Sequence, residues 1–76
     1  MAQGKVLKLT REKGYGFIEN DGDEDVFFHR SGMWRSGKPC PSEYHDLQEG
    51  DLVVYLRDPS EDPNKGPRAI AVERVL

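Results

Sequence analysis

The sequence lacks most of what staples, anchors or extends a chain. A single cysteine, Cys40, stands among 76 residues, so no internal disulfide forms and a stapled secreted mini-protein is excluded. No apolar run nears the ~18 residues that cross a bilayer, and Met1-Ala2-Gln3-Gly4 does not read as the start of a signal peptide. A cytoplasmic location is expected. Runs free of both Gly and Pro never exceed nine residues (5–13, 23–31 and 68–76), shorter than an average helix of about 11–12. Helices beyond a turn or two are therefore not expected. Strong charge of one sign is missing too: 11 Lys+Arg face 14 Asp+Glu, for a net charge of -3. That excludes a histone-like electrostatic binder but not one that relies on stacking. The charge is also uneven, with seven cations and six acids in residues 1–40 and four cations and eight acids in the remainder.

What is present suits one small folded domain over residues 1–76. Hydrophobic residues make up 36% and charged residues 33%, near the size at which a single core just suffices. The punctuated runs predict five short strands at 5–10, 15–20, 25–30, 51–57 and 68–75. Asn20-Asp21-Gly22-Asp23 supplies hairpin residues between the second and third. Residues 32–50 read as a long connection and 58–67 as a polar loop. So few short strands point to an all-β fold, a small closed or nearly closed barrel that removes exposed edges.

The chemistry lies in Lys13-Gly14-Tyr15-Gly16-Phe17-Ile18 and Asp25-Val26-Phe27-Phe28-His29. Alternate side chains of a strand face opposite ways. If Ile18, Val26 and Phe28 fill the barrel, then Tyr15, Phe17, Phe27 and His29 stand outside on adjacent strands. An exposed aromatic cluster on a small protein marks an interaction site. Glycines 14 and 16 are expected to leave the surface around the rings open, and Lys8, Lys13 and Arg30 to rim it with positive charge. Rings interleaved with cations suit single-stranded nucleic acid, bases on the rings and phosphates beside the cations.

Lys13 to Ile18 is close to the RNP1 pattern, but it begins too early, with no helix before it, for an RNA-recognition motif domain. With Gly4-Lys5-Val6, Asp25 to His29 with Ser31, Leu47-x-x-Gly50, and Lys65-Gly66-Pro67-x-Ala69 with Val72, the chain instead resembles the cold-shock domain family. The resemblance implies a five-stranded antiparallel OB-type barrel binding single-stranded RNA or DNA, often as an RNA chaperone. It assigns base stacking to Tyr15, Phe17, Phe27 and His29, with Tyr44 as a further ring from the long loop. Lys13 becomes a backbone contact, Lys65 flanks the strand, and Asp25 can hydrogen-bond to a base edge.

Departures from the family pattern are specific. Leu7-Lys8-Leu9 stands where bacterial members carry Lys-Trp-Phe, so the platform Trp is Lys8, and Arg30 replaces a Phe. The loop after Met33 is longer, as in Y-box domains, and brings Trp34, which either replaces the missing ring or covers the barrel end. Cys40, His45 and His29 show no metal-ligand spacing, and Asp21 to Asp25 lacks the EF-hand pattern. No nucleophile–base–orienter set is present. The expectation is a monomer with no cofactor, metal or enzymatic activity. A protein-docking module on a degenerate cold-shock fold is the alternative.

Overall fold

A computed structural model describes residues 2–20, 24–59 and 66–75. Among them seven strands form one curled sheet: β1 (Ala2–Thr10), β2 (Tyr15–Glu19), β3 (Val26–His29), β4 (Met33–Arg35), β5 (Lys38–Pro39), β6 (Leu52–Arg57) and β7 (Ala69–Arg74). Their order across the sheet is β3-β2-β1-β6-β7-β4-β5. The sheet curls until β3 approaches the start of β7, where Phe27 and Arg68 form a parallel bridge and the Phe27 N–H donates to the Pro67 carbonyl at 3.0 Å. This is the OB-type barrel expected, with two corrections. Residues 32–50 are more than a connection, since they hold β4, β5 and a 3-10 turn at Pro41–His45. One pairing, β4 with β7, is parallel. The predicted 20–23 hairpin tip falls largely outside the described residues.

The core is built from the alternation read in the sequence. Ile18, Val26 and Phe28 are fully buried, joined by Val6, Met33, Leu47, Val53, Tyr55, Ala69 and Val72. Two register breaks shift the phase of that alternation. In β1 the pairing with β2 passes from Val6↔Ile18 to Lys8↔Phe17, leaving Leu7 as an extra residue. In β7 it passes from Arg57↔Ala69 to Leu56↔Ala71, leaving Ile70 extra. Both extra side chains are exposed, at 45% and 46%. A bulge of this kind adds one residue and bends the strand locally. It explains why the inward positions are three apart, Val6 then Leu9, and Ala69 then Val72.

The Pro41–His45 turn closes the barrel through long-range bonds. Arg11 donates to the carbonyls of Tyr44, His45 and Leu47 and lies over the Tyr44 ring, 5.9 Å from its centre. Arg74 donates to the Asp46 carbonyl at 3.0 Å and lies 3.9 Å from the buried Glu43 carboxylate. These contacts bind the loop down without a disulfide. Among the described residues no helix is long and apolar enough to cross a membrane.

Candidate nucleic-acid interface

Strands β2 and β3 pair antiparallel with Tyr15 opposite His29 and Phe17 opposite Phe27. Their alternation turns these four side chains outward, and all four are half-buried. The rings form one cluster: Tyr15 and Phe27 lie 5.4 Å apart centre to centre, Phe17 and Phe27 5.8 Å, Tyr15 and Phe17 6.2 Å. Such edge-to-face and tilted pairs hold one another in place. His29 is fixed differently. The Ser31 N–H donates to its Nδ1 at 3.1 Å, and the Ser31 hydroxyl lies 2.9 Å from the same atom. In the neutral ring that leaves the proton on Nε2, available as a donor.

Three exposed cations lie on or beside the strands and turn that carry the rings. Lys8 is exposed and directly opposite Phe17, on the same outward face, because of the bulge at Leu7. Lys13 is exposed in the turn between β1 and β2, its N–H bonded to the Thr10 carbonyl. Arg30 is exposed beside that turn: its N–H donates to the Gly14 carbonyl at 2.8 Å, and its side chain passes over Gly14. Gly14 has φ of 75°, which explains the residue choice there. The role expected of Gly16 needs correcting. It faces inward, where a Cβ would meet the Lys8 carbonyl oxygen at 2.7 Å and the Phe28 ring at 2.9 Å. Gly16 thus makes room for a core ring rather than clearing the outer surface. Asp25 is exposed immediately before β3. Sequence reading missed Arg68, whose guanidinium carbon lies 6.0 Å from the centre of the Phe27 ring.

The family model of the 'Cold-shock' DNA-binding domain matches residues 2–75. The chain belongs to the cold-shock domain family. It is 42% identical over 72 residues to cold shock-like protein CspB of Bacillus cereus, covering 95% of this chain and 97% of that one. It is 36% identical over 75 residues to cold shock protein CspA of Staphylococcus aureus strain USA300, covering 99% and 100%. A solved structure of drosophila Unr CSD456 superposes with a TM-score of 0.67 at 17% identity, covering 99% of this chain and 26% of that longer one. That likeness supports the fold. Membership of the family brings nucleic-acid binding to this chain.

Not every residue assigned by the cold-shock resemblance takes its expected place. Tyr44 is 2% exposed and belongs to the core. Its ring packs edge-on against Phe28 at 6.4 Å, and its hydroxyl donates to the Tyr15 carbonyl at 2.6 Å. It therefore presents no face to a base and instead supports the platform from beneath. Burial pushes its phenol above the usual 10.0, an effect partly opposed by the charges of Arg11 and Arg30. Trp34 lies elsewhere as well. It pairs with Glu73 of β7 and lines an apolar groove with Val54, Leu56 and Ala71, so it does not replace the ring missing at Lys8. Lys65 lies outside the described residues.

Proposed function

We propose that this cold-shock domain binds single-stranded RNA or DNA as a monomer, by stacking bases on Tyr15, Phe17, Phe27 and His29, with Lys8, Lys13 and Arg30 beside the phosphates. The carrying observation is the cluster of three mutually packed rings turned outward on β2 and β3, with a lysine in register beside it. A packed ring gives up little freedom when a base settles on it, and every base has a face to stack. Affinity of this kind tolerates sequence. Because the ring cluster receives unpaired bases and not a duplex, binding draws a weak hairpin toward its open form by mass action, without ATP. That is the action of a passive RNA chaperone.

The test is a titration of fluorescently labelled oligo-dT and oligo-U, read by anisotropy. Trp34 sits in a different cluster and is not the reporter of choice. Phe27→Ala should weaken binding by ~1–3 kcal/mol, one stacked base, while the melting transition shows a retained fold. Unchanged affinity in a folded Phe27→Ala variant would rule out the platform. Absence of any single-strand binding by the wild type would favour the protein-docking alternative.

A further inference from the structure

Strand β6 departs from the pattern that half-buried strands follow. An antiparallel strand with one face in water alternates apolar and polar side chains, yet Leu52-Val53-Val54-Tyr55-Leu56 is apolar on both sides. Val53 and Tyr55 fill the core, while Leu52 and Leu56 stand outside at 41% and 46% exposure, with Val54 between them. Neighbouring strands continue this surface. Ala71 of β7 pairs with Leu56, and one cross-strand row runs Gln3, Val54, Glu73, Trp34, Pro39. Ala71 and Glu73 form the floor of a shallow groove, with Val54 and Leu56 of β6 on one side and Trp34 of β4 on the other. The rings stand elsewhere, on β2 and β3. A single exposed leucine needs no explanation, but a contiguous apolar face marks an interaction surface.

Size, backbone pairing and charge define the occupant. The groove holds about 230 Å³, below the ~300–1,000 Å³ of small-molecule pockets, so it suits side chains projecting from a larger body. β6 lies between β1 and β7, and β7 between β6 and β4. Their ladder groups are therefore taken, and the face offers side chains only. A segment resting on it must pair its own backbone, as a helix does. Strand addition at the edge is poorly served, because β5 is only Lys38–Pro39 and Pro39 has no N–H. Glu73 is the only charged residue lining the groove. It is half-buried, and one carboxylate oxygen accepts the Gly37 N–H at 3.4 Å while the other has no partner among the described residues. Such a group calls for a cation on whatever covers it. Ala71 and Glu73 are two strand positions apart, ~6.6–6.8 Å, close to the ~6 Å rise between positions i and i+4 of a helix. A second copy of this chain does not meet these terms, since among the described residues its longest helical stretch is the five-residue 3-10 turn at Pro41–His45.

We propose that the outer face of β4, β6 and β7 docks an amphipathic α-helix of a partner protein, with a Lys or Arg of its apolar stripe set against Glu73 and an apolar residue one turn away over Ala71. The site is independent of the ring platform. Trp34, the chain's single tryptophan, reports on it directly. The probe is a synthetic amphipathic peptide of about 18 residues, long enough to be helical alone. It carries Leu on one face, Gln and Ala elsewhere, and Lys, Gln or Glu at one position within the apolar stripe. The Lys peptide should shift Trp34 emission to the blue in a saturable titration and bind about two- to fivefold more tightly than the Gln peptide, with the Glu peptide weakest. Glu73→Gln should erase the difference between the Lys and Gln peptides, and Leu56→Gln should weaken all three roughly fivefold. Both side chains lie outside the core, so the fold should be kept; if either variant misfolds, the peptide series on wild type decides alone. No Trp34 shift with any peptide, or equal affinity for the Lys, Gln and Glu peptides, overturns the proposal. So does dimerisation in sedimentation that Leu56→Gln abolishes, which gives the face to a second copy. A shift of Trp34 emission by oligo-dT alone overturns it too, giving the face to nucleic acid.

Discussion

Replacing Lys8 with Trp tests the part of the surface where this chain departs most from its family. Lys8 is exposed and stands opposite Phe17 across the β1–β2 pair, where partner Cα atoms are ~4.5–5.5 Å apart. An indole there would extend the ring cluster by one member without entering the core, so stability should change by no more than ~0.5 kcal/mol. Two effects on binding then oppose each other. One added base–aromatic stack strengthens it by ~1–3 kcal/mol. Loss of one cation removes about 0.7 from the magnitude of the slope of log K against log salt. Over a tenfold rise in salt that slope change multiplies the variant's relative affinity about fivefold. Lys8→Trp should therefore bind oligo-dT more tightly than wild type at high salt, with the advantage shrinking as salt is lowered. Anisotropy titrations of both proteins with one oligonucleotide at four or five salt concentrations measure both quantities. A variant weaker at every salt would refute the reasoning, because a lysine bordering a stacking platform cannot be worth more than the stack that replaces it. An affinity ratio independent of salt would refute the phosphate contact of Lys8.

Tyr44→Phe deletes the hydroxyl bond to the Tyr15 carbonyl and should cost ~0.5–1.5 kcal/mol in urea denaturation, with a smaller effect on ligand affinity per folded molecule. Because burial raises the Tyr44 phenol above 10.0 in the folded state, the native state holds its proton longer than the unfolded chain does. The stability this supplies is complete below pH 10 and is lost as pH rises through the folded-state value; wild type should show that alkaline decline and Tyr44→Phe should lack Tyr44's share of it. Gly16→Ala should destabilise by ~1–3 kcal/mol, since its methyl meets the Lys8 carbonyl and the Phe28 ring; a neutral result would mean Gly16 does not face the core.

Much of the fold was legible because period-two alternation is a local signal. Ile18, Val26 and Phe28 inward, with Tyr15, Phe17, Phe27 and His29 outward, follows from the order of side chains within two strands. Tyr44 was misread because burial of a loop ring is decided by distant partners. Arg11, Phe28 and the Tyr15 carbonyl are 33, 16 and 29 residues away in sequence, and none of them marks the loop as packed. The same holds for Trp34, whose groove is assembled from β6 and β7. The two short strands β4 and β5 were missed since three and two residues carry no readable period.

Lys8 was read onto the rim of the aromatic surface and Arg68 was missed, although one physical feature sets the direction of both. Counting by twos from Val6 puts Lys8 on the core side, and counting back from Val72 does the same to Arg68. In each strand one bulged residue, Leu7 or Ile70, reverses the phase and sends the cation outward. Burying either charge without a partner would cost several kcal/mol, so the alternation and the charges together demanded a break between Val6 and Leu9 and between Ala69 and Val72. Read that way, apolar residues three apart beside a cation are a signature of a bulge, not a flaw in the strand. In this cold-shock domain both such signatures border the same aromatic surface. Removing the extra residue at Leu7 would thus force Lys8 inward or slip the whole strand, which ties the chemistry of the ligand surface to the register of the barrel.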